Sequence, residues 1–242
     1  MKLIKLSATT TTQDYLKKLA EVDTLKNFTT VWAECQTEGR GQMGAKWTTN
    51  TNNGLTFSVL VHLNYNLLQH IYKFNALVVC SILNAFKAFN LTKVYVKWPN
   101  DILADDKKIG GILIENTFRG SVDIQSIIGI GINLNDTNFD NLPQAGSVLS
   151  VFNKKIDAED LLKEIVHQME LFFNDFPNNE ALIWSQYHDS LYKKNVISNF
   201  ELPDGSLFQG TITRVSDEGK LVVKDKNDDE LLYSLKEIKL LY

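Results

Sequence analysis

Four short stretches carry residue types at spacings that suit anionic and planar ligands. The first is Gly39-Arg40-Gly41-Gln42-Met43-Gly44-Ala45-Lys46-Trp47. Glycine at every second or third place lets a backbone take positive φ and approach a ligand with no Cβ in the way. Arg40 and Lys46 add fixed positive charge, and Trp47 adds a large flat face. Amides plus cations suit a phosphate, and an aromatic face suits a base or ring system. A surface turn with incidental charges has the same composition, so this loop alone leaves both readings open. The second stretch, Lys97-Trp98-Pro99-Asn100-Asp101, is denser in polar side chains than a turn requires. The third, Lys108-Ile109-Gly110-Gly111-Ile112-Leu113, places a double glycine inside an apolar run, where glycine marks a bulge or a close backbone approach by a ligand. In the fourth, Gly129-Ile130-Gly131-Ile132-Asn133, alternate glycines leave one strand face bare, a floor for a planar ligand. Crowding by a neighbouring helix is the structural alternative for one such strand. Two such strands together with the loop favour a pocket.

The elements that must position these stretches follow from periodicity. Residues 2–6 suit a short strand, and the threonines at 9–12 suit a helix N-cap ahead of Leu16 and Leu19, though their hydroxyls could equally serve a ligand. Residues 28–35 read as a strand running into the glycine loop, followed by a polar, strand-breaking segment at 48–53. Leu55, Phe57, Val59, Val61 and Leu63 alternate as one face of a half-buried strand, with His62 on the other, exposed face. Ile71, Phe74, Leu77, Val78, Ile82, Ala85, Phe86 and Phe89 define a long amphipathic helix. Residues 94–98 form a strand stopped by Pro99. Residues 136–151 read as an irregular connection. Acidic residues at 157–160 open a helix and complement its dipole, which excludes a catalytic dyad there; Pro177 stops it, and a second helix covers 180–192. From Asn195 onward, short strands at 196–202, 207–215, 220–224 and 230–235 alternate with tight turns, the texture of a small antiparallel barrel. A domain boundary therefore falls near Lys193, giving residues 1–193 and 194–242.

Composition bounds the function classes. The 242 residues carry a formal net charge of −4, which argues against a general nucleic-acid binder. Cys35 and Cys80 make no disulfide framework and read as buried structural thiols in a reducing compartment. The N-terminus turns polar after six residues, too soon for a secretory core, and no run approaches the length of a membrane span. A cytoplasmic protein is expected.

Taken together and in this order, the four stretches resemble those of the biotin–protein ligases (biotin–acetyl-CoA-carboxylase ligases), in the monofunctional form without an N-terminal DNA-binding domain. With the C-terminal strands, the resemblance covers nearly all of the chain. It implies an α+β fold: a catalytic domain like that of class II aminoacyl-tRNA synthetases, a mixed sheet flanked by helices, followed by a small SH3-like β-barrel. It also implies a two-step reaction, in which MgATP and biotin give biotinyl-5′-AMP and biotin then passes to a lysine of a biotin carboxyl carrier protein. That carrier belongs to acetyl-CoA carboxylase or a related biotin-dependent carboxylase. MgATP and biotin enter as substrates, with no tightly bound cofactor, no DNA and no membrane partner; homodimerisation stays open.

By this resemblance Arg40, Lys108 and Asp101 are the catalytic residues. Arg40 closes over biotin and phosphates, Lys108 serves the biotin carboxylate and α-phosphate, and Asp101 orients the incoming lysine. The biotin head meets Thr11, Thr12, Gln36, Gly39 and Arg40, with Lys108 and Leu113 beside it and Gly110, Gly111 and Gly131 beneath. The adenylate side takes Gly41, Gln42, Gly44, Lys46, Trp47, Asn100, Ile132 and Asn133, with Trp47 on the adenine and Asn133 at its edge. Mg²⁺ arrives through the phosphates, near Asp101, with no assigned metal ligand. The sequence departs from the family pattern at Gln42 and Ala45, which are often arginine, and at Thr11-Thr12-Gln13, where Ser-Thr-Asn is usual. No helix-turn-helix precedes the motifs, so a repressor role is not expected. Two rivals remain: a lipoate–protein ligase of the same fold, and a non-catalytic biotin or adenylate sensor.

Overall fold

A computed structural model describes residues 1–48, 53–63, 71–119, 123–139 and 142–242. A seven-stranded sheet, in the order β1-β2-β3-β7-β6-β5-β4, is built from the first half of the chain. Its strands are β1 (Lys2–Thr9), β2 (Thr29–Gln36), β3 (Gly54–Leu63), β4 (Val94–Lys97), β5 (Asp101–Ala104), β6 (Lys107–Arg119) and β7 (Asp123–Asn133). The β1–β2 pair is parallel and the other five pairings are antiparallel, so the sheet is mixed.

Both faces of this sheet are covered. On one side α2 (Ile71–Ala88), α4 (Ala158–Asn174) and α5 (Phe176–Asp189) bury a core that includes Phe57, Val59, Phe74, Ile82, Ile128, Ile130, Leu162 and Ile165. On the other side α1 (Thr12–Val22) lays Leu16 and Ala20 against Val31, Leu60 and Ile127. The second cover corrects the reading of β3 as half-buried: Thr56, Ser58 and Leu60, on the polar-looking face, are as buried as Phe57 and Val59. His62 is corrected with them, since it is half-buried, with its Nε2–H donating to Leu25 O at 3.0 Å. α2 is long and apolar enough to cross a membrane, against the sequence expectation, but 61% of it is buried inside this core. Cys80, on α2, is buried and its thiol is pushed up to about 12 by that burial, whereas Cys35 is only half-buried; both are free.

Local sequence explains the helix ends. Thr11 caps α1 by accepting from Asp14 N–H at 2.9 Å. Asp157 caps α4, accepting from the Glu159 and Asp160 amides, which confirms capping for that acidic cluster. Pro177 does not end α4, which stops at Asn174; it opens α5 instead, where a missing N–H costs nothing. The connection read as irregular contains a short helix, α3 (Val148–Phe152), begun by a reciprocal Ser147/Ser150 capping box. The polar segment expected at 48–53 lies mostly outside the described residues.

The C-terminal strands form a second, all-antiparallel sheet in the order β11-β10-β9-β8-β12. These are β8 (Ile197–Glu201), β9 (Leu207–Val215), β10 (Leu221–Lys224), β11 (Glu230–Tyr233) and β12 (Lys239–Leu241), the last unseen in the sequence. This sheet does not hang free. Phe200, Ile212, Val215 and Leu221 join the main core, and Val96 of β4 exchanges backbone hydrogen bonds with Ser190 and Tyr192. The Trp98 indole N–H donates to Gly219 O at 3.0 Å, fastening the β9–β10 turn to the seven-stranded sheet's β4 edge.

Candidate active site

A cleft of about 230 Å³ opens where the N-terminus of α1, the glycine loop and the glycine-bearing parts of β6 and β7 converge. Thr11, Thr12, Gln13 and Gln36 line one end. Arg40, Gly41, Gln42, Lys46 and Trp47 come from the loop, and Asn100, Asp101, Lys108, Gly111, Leu113 and Gly131 from the sheet. The four sequence stretches therefore meet.

A β-bulge aims Lys108 into this cleft. β5 pairs Ile102 with Gly110 but Leu103 with Lys108, so Ile109 is the extra residue. Ile109 is fully buried, and a Cβ on Gly110 would meet Ile102 and Ile132 side chains, so both residues face the helix-side core. The lost alternation leaves Lys108 and Gly111 on the same, cleft-facing side. Lys108 Nζ then lies 2.6 Å from Asp101 Oδ1, and Lys97 Nζ lies 3.7 Å from Asp101 Oδ2. Burial lowers the Lys97 ammonium's pKa, Asp101 opposes that fall, and Lys108 and Lys239 add to it. The result is one carboxylate between two cations, with a surplus positive charge at the cleft wall.

The glycine floor is real, but the protein's own side chains lie on it. A Cβ at Gly131 would fall 2.4 Å from the Trp47 indole, and one at Gly111 3.3 Å from the same ring. A Cβ at Gly129 would fall 2.4 Å from Gln13 Oε1. Trp47 thus covers the surface assigned to the biotin head, and its Nε1 is buried without a hydrogen-bond partner among the described residues. Lys108 Nζ stands 5.7 Å from the centre of that ring.

Beyond Trp47 lies a second cavity of about 680 Å³, lined by Lys97, Asn133, Asp136, Asn138, Phe139, Pro143 and Tyr242. Lys46, Trp47, Asp101 and Lys108 line both cavities and so form their common wall. Asn133 donates from Nδ2 to Gly146 O at 2.9 Å, which ties β7 to the turn before α3.

Several sequence assignments need correction. Gly110 and Ile132 point into the helix-side core, because strand side chains alternate and Gly110 pairs with Ile132. Gly39 is buried at the base of the loop, where a Cβ would strike Trp47 O at 2.2 Å, so it brings the loop's legs together and lines neither cavity. Gly44 lies at the exposed loop tip with φ +81° and lines neither cavity. Arg40 faces the cleft, but its guanidinium is paired with Asp14 Oδ1 at 2.5 Å. Asn100 lines the cleft as expected, with its Nδ2 donating to Ile112 O at 2.7 Å and fixing the turn there. Among the residues the sequence did not assign, Gln13 and Ser58 are buried and bonded to each other, and Lys97 and Tyr242 line the second cavity. Lys97 and Gln13 stood inside stretches the sequence singled out, and Ser58 had a weaker signal, a hydroxyl in the middle of an apolar strand.

A family model for the biotin/lipoate A/B protein ligases matches residues 6–133, a span that contains the whole lining of the first cleft. The chain belongs to that family. A family relative, the bifunctional ligase/repressor BirA of Bacillus spizizenii, is 28% identical over 216 residues, 85% of this chain and 64% of that one. The biotin–acetyl-CoA-carboxylase ligase of Mycobacterium tuberculosis is 24% identical over 192 residues, 78% of this chain and 70% of that one. The chain thus spans under two-thirds of the Bacillus relative's length. The biotin/lipoate ligase fold is shared throughout: a structure described as biotin protein ligase from Aquifex aeolicus in complex with biotin and ATP matches with a TM-score of 0.80. That match covers 99% of this chain and 98% of that one at 22% identity.

Proposed function

We propose that this chain is a biotin–protein ligase, which forms biotinyl-5′-AMP from biotin and MgATP and then biotinylates a lysine of a carboxylase carrier domain. The observation that carries the reading is the common wall of the two cavities. A carboxylate held in the first cleft and an α-phosphate held from the second can meet only beside Lys108 and Lys46, with Arg40 at the loop. Both reacting groups are anions, so fixed cations at their meeting point are the main catalytic requirement.

In the first step a biotin carboxylate oxygen attacks the α-phosphorus, the bond to the bridging oxygen breaks, and pyrophosphate leaves. Lys108 neutralises charge on both partners. Arg40 leaves Asp14 to do the same on the far side. In the second step the carrier lysine's neutral amine attacks the acyl carbon, the acyl–oxygen bond to AMP breaks, and the amine gives up a proton. Asp101 is the group placed to orient that amine. No enzyme nucleophile is needed, because the acyl group is already activated. Among the described residues no three His, Cys, Asp or Glu side chains gather into a metal site. In this reading Mg²⁺ enters on the triphosphate, as part of the substrate, near Asp101.

The finer fold reading belongs with this proposal: residues 1–193 as a class II synthetase-like catalytic domain, and 194–242 as an SH3-like barrel. A cytoplasmic setting, where ATP and carboxylases meet, fits it. Incubating the chain with MgATP, biotin and a biotin carboxyl carrier domain should release pyrophosphate and raise the carrier's mass by one biotinyl group. Transfer of labelled lipoate in preference to biotin would instead assign the lipoate branch, and neither pyrophosphate nor carrier mass gain would leave a binding protein.

A further inference from the structure

The transfer step sets two demands on the site that oppose each other. A carrier lysine arrives as an ammonium and attacks only as a neutral amine. Asp101 is placed to receive it, yet a carboxylate beside an ammonium holds the proton on. One sheltered carboxylate by itself would therefore orient the nucleophile and disable it.

Lys97 offsets that effect. Its Nζ lies 3.7 Å from Asp101 Oδ2, beyond hydrogen-bonding distance, while Lys108 Nζ takes Oδ1 at 2.6 Å. Lys97 thus brings charge to Oδ2 and leaves that oxygen room for an incoming nitrogen. The side chains of Lys97 and Asp101 are 21% and 17% exposed, so water screens this charge weakly. The ammonium is also held in place. It stands 5.2 Å from the centre of the Tyr242 ring, which packs edge-on against Tyr192 at 5.3 Å.

The other groups around Lys97 leave the balance positive. Lys108 and Lys46 belong to the common wall, where the adenylate's phosphate offsets their charge. Lys236 and Lys239 share a third cavity with Lys97 on its far side, and Lys239 is paired with Glu201 at 2.9 Å. Tyr192 donates its hydroxyl proton to Asp106 at 2.5 Å, and burial pushes the Tyr242 hydroxyl up, with Asp101 and Asp106 adding to the rise, so both rings stay neutral. Lys97 itself registers the field: burial lowers its ammonium's pKa, Asp101 opposes the fall, and Lys108 and Lys239 add to it. A third ammonium entering beside Asp101 meets this surplus and loses its proton more readily than in water.

We propose that Lys97 activates the carrier lysine: its fixed charge makes an ammonium docked at Asp101 give up its proton to solvent and become the nucleophile. This role rests on the biotin reading. The neutral amine then attacks the acyl carbon. The bond from that carbon to the AMP oxygen breaks, its electron pair leaves on AMP, and the nitrogen's second proton goes to water. Lys97 acts by charge alone and neither gains nor loses a proton.

The test isolates the transfer step, with preformed biotinyl-5′-AMP, a saturating biotin carboxyl carrier domain and single-turnover rates from about pH 6.5 to 10.5. Under saturation the profile reports the amine in the bound complex. In the wild-type chain the rate should level off about one pH unit or more below the ordinary lysine value of about 10.4. In Lys97→Met the levelling point should rise by about one unit, so this variant is roughly tenfold slower near pH 7.5 and approaches the wild type at the alkaline end. Lys97→Arg keeps the charge and should keep the wild-type levelling point, whatever its rate. Lys97→Gln gives the same reading if thermal unfolding shows the methionine variant to be unfolded. A rate lowered by one factor at every pH in the neutral variants would overturn the proposal, because Lys97 would then only shape the cavity. A wild-type chain that acylates the carrier no faster than free biotinyl-5′-AMP does would overturn the biotin reading itself.

Discussion

Lys108 Nζ and Asp101 Oδ1 stand 2.6 Å apart at the point where the two cavities meet. The pair joins β5 and β6 across the bulge at Ile109, so the backbone irregularity and the charge placement are one feature. Lys108→Ala should lower the rate of biotin-dependent pyrophosphate exchange by about 10²- to 10³-fold, the usual effect of losing one positioned charge stabiliser. Its thermal midpoint should move little, because the Lys108 side chain is 36% exposed and Asp101 keeps Lys97 as a partner. Full exchange activity in this variant would show that Lys108 is only a structural ion-pair partner.

Trp47 and Gly131 make a second pairing with a separable readout. Gly131 has no positive φ, so alanine fits its backbone, but the new Cβ would lie 2.4 Å from the indole. Gly131→Ala should therefore keep its stability and displace Trp47. If Trp47 carries the adenine, the loss is about 1–3 kcal/mol of stacking, or roughly 5- to 150-fold in kcat/KM for ATP. An unchanged ATP dependence alongside a changed tryptophan emission would place adenine elsewhere.

Much of this arrangement was legible in the sequence because it depends on local chemistry. The glycine loop, the Thr11 cap, the Asp157 cap and the helix at 71–88 follow from residue type and spacing. The double glycine at 110–111 was read as a bulge or a ligand approach, and the bulge is there. The misreadings arise where a distant element decides the outcome. β3 looked half-buried because nothing in its own sequence announces α1 on its second face. The bare floor of β6 and β7 looked open because its occupants, Trp47 and Gln13, come from 64 or more residues away. Pro177 was read as a stop because proline ends one helix and begins the next with equal ease.

Gly219 ties the C-terminal sheet to the site. It has φ +82°, and a Cβ there would fall 1.9 Å from the Tyr72 ring of α2, while its carbonyl accepts from Trp98 Nε1. Gly219→Ala should cost roughly 1–3 kcal/mol from the backbone alone, and displacement of Tyr72 adds to it. Because Trp98 precedes Asn100 and Asp101, adenylation should fall with stability. A denaturant titration read at far-ultraviolet and tryptophan wavelengths checks this, and a variant as stable as wild type would show that the turn is not fastened as described.

His188, on α5, fixes the same sheet by donating from Nε2 to Val215 O at 3.0 Å. Burial lowers its pKa from the ordinary 6.5, the Val215 bond opposes the fall, Lys194 and Arg214 add to it, and Asp189 opposes it. The folded chain therefore binds this proton less tightly than the unfolded chain does. The imidazole's contribution to stability is complete above about pH 6.5 and declines as pH falls through 6.5 toward the lower folded value. Urea midpoints measured between about pH 7.5 and 5.5 should drop more in wild type than in His188→Gln, whose amide can still donate to Val215 O but does not titrate. Parallel declines in the two proteins would assign the acid sensitivity to other groups and leave His188 as a neutral spacer between α5 and β9.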